Sequence, residues 1–269
     1  MKRFRQVAIV FAVSAVPFAF AQQPNPKELI RESIQNYEKA WRAGMKWSYT
    51  QTDVTCVDGK TQVDLSSVSP LDGTPYERLI SRNGHALAPD EQRKEDEKYD
   101  KELRRRRSET PGERQARIRK YEKERSFLAD VPNAYDFKLG GEDLVNGRLA
   151  WIVTLTPHGG FEPTTPHAGL LRHIEGRLWI DKKDLQWARA DADVIDAVNI
   201  GLIVARINPG AHITLDFTRM SEALWVPKNI TLKGEARILL VHSKNLNEEL
   251  TFSNYTLQSP NAEAQVARR

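Results

Sequence analysis

Three histidines in one loop-rich stretch are the residues best suited to metal chemistry, His158, His167 and His173. Imidazole binds transition metals, but such sites usually take their ligands from close spacings or from adjacent strands. Here Pro and Gly residues separate the histidines, and only Glu162 and Glu175 lie nearby in the sequence. The pattern therefore favours solvent-exposed loop histidines over a metal site.

Three acids, Asp191, Asp193 and Asp196, resemble the start of a calcium-binding loop. Such a loop needs a glycine at its sharp turn and a glutamate at its twelfth position. In this sequence Ala and Val follow Asp196, and the twelfth position is Leu202. We therefore expect these acids on a strand surface and in a turn, and we expect no bound metal.

Motifs of common active sites are missing from the sequence. It contains no Gly-x-Ser-x-Gly elbow, no phosphate-binding loop, no His-Glu-x-x-His and no paired-cysteine motif. The single cysteine, Cys56, lies in Val-Thr-Cys-Val, which is typical of a buried strand and not of a reactive thiol. One cysteine also excludes an internal disulfide. The sequence thus predicts a protein that is not an enzyme and has no cofactor.

The first residues have the pattern of a signal peptide. Lys2, Arg3 and Arg5 precede an apolar run over 7–20, and Ala19 and Ala21 suit peptidase cleavage after about Ala21. The run is shorter than the roughly 20 apolar residues that cross a bilayer, so we expect no permanent membrane anchor. Since no cysteine follows the cut, we expect no lipid anchor either. The predicted location is the periplasm.

Cleavage changes the charge of the chain. It removes three basic residues, so the formal net charge falls from +4 to +1, and the electrostatic case for nucleic-acid binding is lost. Residues 22–269 contain no second apolar segment long enough to span a membrane. We predict that they form one domain.

The mature chain should open with a helix and continue in hairpins. Asn25 can cap a helix with Pro26 at its first position, and apolar residues then recur at helical spacing to about residue 43. Alternating apolar residues follow, with turn signals at Asp58-Gly59, Asn83-Gly84 and Asn146-Gly147. These patterns predict three hairpins.

Residues 89–129 interrupt this pattern with a strongly charged segment. It should form two helices that meet at Thr110-Pro111-Gly112, with Phe127 and Leu128 packing back onto the body. The arginines at 104–107 could contact anionic lipid or nucleic acid. Nearby Glu102 and Glu109 favour a solvated helix surface instead.

From residue 135 the chain is rich in β-strand patterns. In the segment 185–194 the pattern places Ala188, Ala190 and Ala192 on one face and Trp187 on the other. The stretch 195–207 could be a short helix or a buried strand. Later strands are apolar on one side only, which predicts an antiparallel sheet with one covered face.

One group of residues resembles a known family. The block Gly-Arg-Leu-Trp-Ile-Asp at 176–181, with Arg189, Trp225-Val226-Pro227 and Phe-Ser-Asn-Tyr at 252–255, is similar to the LolA/LolB-like periplasmic lipoprotein-carrier superfamily. That group includes outer-membrane lipoprotein-sorting proteins and the amino-terminal domain of RseB/MucB regulators. The resemblance is strongest over about 135–257. The charged insertion departs from the short helical lids of the carriers.

The resemblance implies a fold and a binding site. The fold is mainly β (α+β), a single curved antiparallel sheet that forms an unclosed barrel, with helices over its concave face and a charged helical hairpin inserted at 89–129. Residues expected to face an apolar concavity, or to be ordinary core, are Trp151, Val153, Leu155, Leu178, Ile180, Leu215, Phe217, Val226 and Phe252.

Two functions remain open at this point. The chain could shelter a lipid, a lipoprotein acyl chain or another amphiphile during envelope biogenesis. Alternatively, it could be an envelope-stress or assembly factor that binds a protein partner through its sheet or its charged helices. Deletion of 90–128 would then remove partner binding and leave lipid binding intact.

Overall fold

A computed structural model describes residues 23–200, 205–221, 224–238 and 243–258. Its helices are α1 (Pro26–Gly44), α2 (Pro89–Arg107), α3 (Pro111–Lys123) and α4 (Val131–Ala134), with 3-10 turns at Ser126–Asp130 and Ala168–His173. The predicted signal peptide at 1–21 lies outside the described residues. Within them, each helix is too short or too polar to cross a membrane.

The strands form one antiparallel sheet. They are β1 (Trp47–Val57), β2 (Lys60–Leu71), β3 (Thr74–Arg82), β4 (His85–Ala86), β5 (Tyr135–Val145), β6 (Arg148–Pro157), β7 (Ile174–Asp181), β8 (Trp187–Val194), β9 (Val198–Ile200), β10 (Ala205–Ile207), β11 (His212–Arg219), β12 (Trp225–Ile238) and β13 (Ser243–Leu257).

The sheet is not closed into a barrel. Its order is β4-β3-β2-β1-β13-β12-β11-β8-β7-β6-β5, and β10 and β9 extend from β12. The first and last long strands pair with each other, because β1 is hydrogen-bonded to β13. The predicted fold, a single antiparallel sheet that stays open and carries helices, is therefore confirmed.

Two-residue turns set the register of the hairpins. The residues Asp58, Asn83 and Asn146 have φ of 48°, 52° and 51°, and the glycine after each also has positive φ. Type I′ turns need positive φ at both central positions, which Asn-Gly and Asp-Gly pairs adopt at little cost. The three predicted hairpin turns are confirmed.

Helix α1 packs against the sheet. The Asn25 side chain accepts hydrogen bonds from the backbone N–H groups of Lys27 and Glu28, at 2.9 and 3.3 Å, and so caps the helix. The buried side chains of α1 include Leu29, Ile30 and Ile34. They pack with strand residues in the main apolar core. The helix predicted from sequence is confirmed almost to the residue.

The charged helices α2 and α3 are fastened to the β2–β3 turn. Arg117 donates to the Thr74 hydroxyl at 2.7 Å and to the Asp72 carbonyl at 3.0 Å. Arg106 donates to the carbonyls of Leu71 and Thr74 and is only 8% exposed. The expectation of a solvated surface is thus wrong for Arg106, because its guanidinium is buried against the turn and donates to the carbonyl oxygens there.

Glu102 contacts two arginines of its own helix, α2. Hydrogen bonds from Arg105 and Arg106 lower the pKa of Glu102 from its ordinary value to about 2. A depressed carboxyl pKa adds stability above the pKa of the unfolded chain, and that stability is lost as the pH falls through the folded value.

We expect the unfolding free energy of the wild type to exceed that of Glu102→Gln at pH 7. This difference in unfolding free energy should narrow between about pH 5 and pH 2. Urea unfolding of both proteins across this pH range measures the difference. A gap that stays constant with pH would contradict the ion-pair role.

A bulge in β8 changes one predicted face. Trp179 pairs with Arg189 but Ile180 pairs with Trp187, so one residue is extra in β8 at this point. Trp187 therefore joins Ala190 beside the cavity described below, and its predicted place on the opposite face is wrong. The stretch 195–207 contains the short strands β9 and β10, and residues 201–204 lie outside the described residues.

Candidate ligand cavity

A cavity of about 540 Å³ lies between α1, the segment 121–131 and the sheet. The sheet contributes Leu155, Leu178 and Leu215 to its wall. Protein interiors are normally packed with few voids larger than a water molecule. A space of this size, lined mostly by apolar and aromatic side chains, therefore has the dimensions of a ligand site.

Small residues on β7 and β8 keep this space open. Gly176, Ala190 and Ala192 line the cavity. A Cβ placed on Gly176 would lie 2.2 Å from the Asp191 carbonyl oxygen, so the close approach of the two strands excludes a side chain there. The alternating alanines identified in the sequence thus lie under the cavity at Ala190 and Ala192.

An aromatic cluster fixes α1 on the sheet beside the cavity. The rings of Tyr37 and Trp187 stack with centroids 4.2 Å apart, and Phe217 meets Tyr37 edge-on at 5.7 Å. The Trp187 indole also donates to the Ser33 hydroxyl at 3.1 Å. Tyr37 and Trp187 both line the cavity. Their contacts therefore hold α1 in place over the cavity.

The segment after α3 forms the rest of the roof. Arg125 places its guanidinium carbon 4.7 Å from the Trp41 ring centroid and 5.3 Å from that of Tyr37. One of its Nη groups donates to the Tyr37 hydroxyl. Burial raises the pKa of Tyr37, although Arg125 acts in the opposite direction, so the phenol is neutral at pH 7. Burial likewise raises the pKa of Tyr121.

Asp130 joins this roof to the loop on the other side of the cavity. Its buried carboxylate accepts hydrogen bonds from the backbone N–H and hydroxyl groups of Thr164 and Thr165, at 2.5 to 2.9 Å. The 3-10 turn that follows the two threonines supplies Leu170 and Leu171 to the cavity. Asp130 therefore holds two walls together.

The nine predicted ligand residues lie in different places. Three of them, Leu155, Leu178 and Leu215, line the cavity. Four others are packed in the core groups next to it, Trp151, Val153, Ile180 and Phe217. Val226 is buried in β12, and Phe252 packs edge-on against Tyr49 with centroids 5.8 Å apart.

Sequence reasoning did not assign the roof residues to a site. The apolar face predicted for α1 included Tyr37 and Trp41, and the segment after α3 included Phe127 and Leu128. The sequence did not show that these four side chains lie around one space. All four line the cavity. Arg125 also went unnoticed, and its position just after a charged helix, two residues before the apolar pair Phe127-Leu128, was the available signal.

The histidines do not form a metal site within the described residues. His158 lies 3.1 Å from Asp136, and His173 lies 3.7 Å from Asp196. One other group, Asp191, Asp193 and His212, has ligand atoms within 4.8 Å of one another.

The imidazole of this group already lies between carboxylates. Its two ring nitrogens lie 2.8 Å from Asp193 and 3.6 Å from Asp191. Arg177 approaches Asp191 as well, at 3.7 Å. The arrangement is explained by the hydrogen bond between His212 and Asp193 and by the approach of Arg177 to Asp191, and it gives no independent sign of a metal.

Similarity to known proteins is found among solved structures. No family model matches the sequence, and the search of curated proteins finds no match. Among solved structures, an outer membrane lipoprotein-sorting protein domain from Vibrio parahaemolyticus is 11% identical with a TM-score of 0.38, over 91% of this chain and 98% of that one.

Two further structures are similar over comparable lengths. A LolA superfamily protein from Nitrosomonas europaea is 9% identical with a TM-score of 0.37, over 86% of this chain and 94% of that one. A chain of the Pseudomonas aeruginosa MucA/MucB complex is 9% identical with a TM-score of 0.27, over 85% and 99%. Because every TM-score is below 0.5, function has to be argued from the cavity itself.

Proposed function

We propose that this chain is a non-enzymatic periplasmic protein that binds an amphiphile, such as a lipid or the acyl chain of a lipoprotein, in the cavity under α1. The mature protein would be one domain over 22–269, freed by signal-peptide cleavage, and would act in envelope biogenesis. The observation that carries the proposal is the apolar space of about 540 Å³ that the protein's own side chains leave unfilled.

Transfer of the acyl chain from water into the apolar cavity supplies the driving force for binding. Each Å² of acyl-chain surface removed from water contributes about 25 cal/mol, so a buried chain can offset the loss of freedom on binding. The neutral phenols and the aliphatic strand residues around the cavity suit such a chain. Release would follow when a partner membrane or protein offers a better apolar site.

Native mass spectrometry of protein purified from its own host tests the proposal. We expect a bound species that organic extraction releases and that has the mass of a lipid or lipoprotein. Fluorescent acyl probes should bind saturably to the extracted protein and be displaced by unlabelled amphiphile. Absence of both a bound amphiphile and saturable probe binding would overturn the proposal.

A second function is supported by a second depression, on another part of the sheet. A polar groove of about 1110 Å³ lies between α2 and strands β1–β3, and the exposed arginines Arg104 and Arg107 border it. A protein partner with acidic side chains would fit this surface.

Deletion of 90–128 cannot separate partner binding from lipid binding, because it would also remove Tyr121, Arg125 and Leu128 from the cavity wall. The double change Arg104→Glu and Arg107→Glu is expected to reduce partner capture and to leave lipid binding intact.

A further inference from the structure

Arg125 is a half-buried charge in the wall of the cavity. A guanidinium carries five N–H donors in a planar fork. One Nη donates to Tyr37, while the Nε is buried and has no hydrogen-bond partner in the described part of the chain. The donors of Arg125 are therefore only partly used by the protein.

Arg125 also lacks a counter-ion among the described residues. Other arginines of this region contact glutamates, as Arg106 does with Glu102 at 2.5 Å and Arg117 with Glu109 at 2.8 Å. Tyr37 cannot serve as an anion, because burial raises its pKa. Charged groups that are withdrawn from water are normally paired, so the half-buried guanidinium of Arg125, with its buried Nε, has an open place for an anion.

The other charges around the cavity do not fill that place. Arg177 approaches Asp191 at 3.7 Å, and the side chains of Glu124 and Glu175 belong to exposed residues. Arg125 is instead held against the rings of Tyr37 and Trp41, with its fork next to the apolar lining. The cavity thus combines an arginine that has no counter-ion among the described residues with a mostly apolar interior.

We infer that the cavity selects amphiphiles with an anionic head group, whose carboxylate or phosphate is held by Arg125 while the acyl chain lies among the apolar side chains of the sheet. The inference rests on the proposed function and adds the class of ligand. A guanidinium fork matches the two oxygens of a carboxylate or phosphate and binds them more strongly than a neutral ester or alcohol. Charge-assisted hydrogen bonds gain further in a site of low dielectric constant.

Calorimetric titration of the purified protein with three ligands of equal chain length tests this inference. The ligands are hexadecanoate, hexadecyl phosphate and methyl hexadecanoate, each kept below its aggregation concentration at pH 7.5. We expect the two anions to bind at least tenfold more tightly than the ester. A larger preference for the phosphate or for the carboxylate identifies the head group that the site prefers.

Variants then assign the preference to Arg125. Arg125→Gln should remove it while ester affinity stays within about threefold, and Arg125→Lys should retain part of it because the charge remains. The matched control Arg177→Gln also changes a cavity arginine, but one that approaches Asp191, and should keep the preference. Circular dichroism and urea unfolding establish that each variant is folded.

The possible failures are distinguishable. If the ester binds and the anions bind no more tightly, or if the preference survives in Arg125→Gln, the anionic head group is wrong and the apolar cavity stands. If Arg125→Gln weakens all three ligands equally, Arg125 only supports the roof and the inference is again overturned. If none of the three binds saturably, the proposed function itself fails.

Discussion

Amphiphile binding is expected to fall at least tenfold when Leu215 is replaced by Trp. Leu215 lines the cavity and pairs across the sheet with Ala190, which also lines it. The indole would occupy space that the acyl chain needs, and tenfold corresponds to about 1.4 kcal/mol. Because the new side chain enters an existing void and not a packed core, the free energy of unfolding should change by less than about 1 kcal/mol. Probe titration and urea unfolding measure the two quantities.

Leu149→Trp is the matched control for this change. Leu149 is 52% exposed on β6, so the same substitution adds the same surface outside the cavity. Its ligand affinity should equal that of the wild type. Unaltered affinity in a folded Leu215→Trp variant would place the ligand elsewhere and remove the main support for the proposed function.

The largest loss of stability is expected from Asp130→Ala. The substitution removes an acceptor of four hydrogen bonds and leaves the N–H and hydroxyl groups of Thr164 and Thr165 without it. We expect the unfolding free energy to fall by about 3 kcal/mol. Amphiphile affinity should fall too, because the loop that Asp130 holds leads into the turn that carries Leu170 and Leu171. Urea unfolding and probe titration test both effects.

The effect of Asp130 should also depend on pH. Burial by itself would raise the pKa of Asp130, but the hydrogen bonds from Thr164 and Thr165 outweigh it and hold the pKa below its ordinary value. The stabilisation is therefore present above the pKa of the unfolded chain and lost as the pH falls through the folded value. The difference between wild type and Asp130→Ala should narrow in acid.

Asp136→Ala is the control for this position. Asp136 lies in an exposed pair with His158, with a side chain 71% exposed, so its removal should change stability by less than about 1 kcal/mol. Equal losses for the two aspartates, or an Asp130 effect that persists unchanged at low pH, would show that the hydrogen-bonded carboxylate is not what joins the two walls.

Much of the architecture could be read from local patterns. The cap at Asn25 and the Asp-Gly and Asn-Gly turns act within a few residues, and each is found where the sequence predicted it. The apolar alternation predicted an antiparallel sheet with one covered face for the same reason, since a covered face is a property of each strand by itself. That the sheet stays open was implied by the family resemblance. The predicted break at Thr110-Pro111-Gly112 likewise coincides with the start of α3, which begins at Pro111.

The errors arose where distant elements meet. The bulge in β8 depends on how β7 and β8 pair, and it moved Trp187 to the cavity side. Arg106 is buried because the β2–β3 turn, about 35 residues earlier, presents carbonyl groups to it. A charged helix by itself gives no sign of such a partner.

The sequence by itself determined the helices, the hairpin turns and the one-sided strands, because these depend on neighbours along the chain. Only the tertiary structure decided which side chains meet around one space, because that depends on where α1 and the segment after α3 cross the sheet. The tertiary structure also decided the surroundings of Arg125. Its lack of a counter-ion among the described residues is a property of three-dimensional surroundings that no local pattern records.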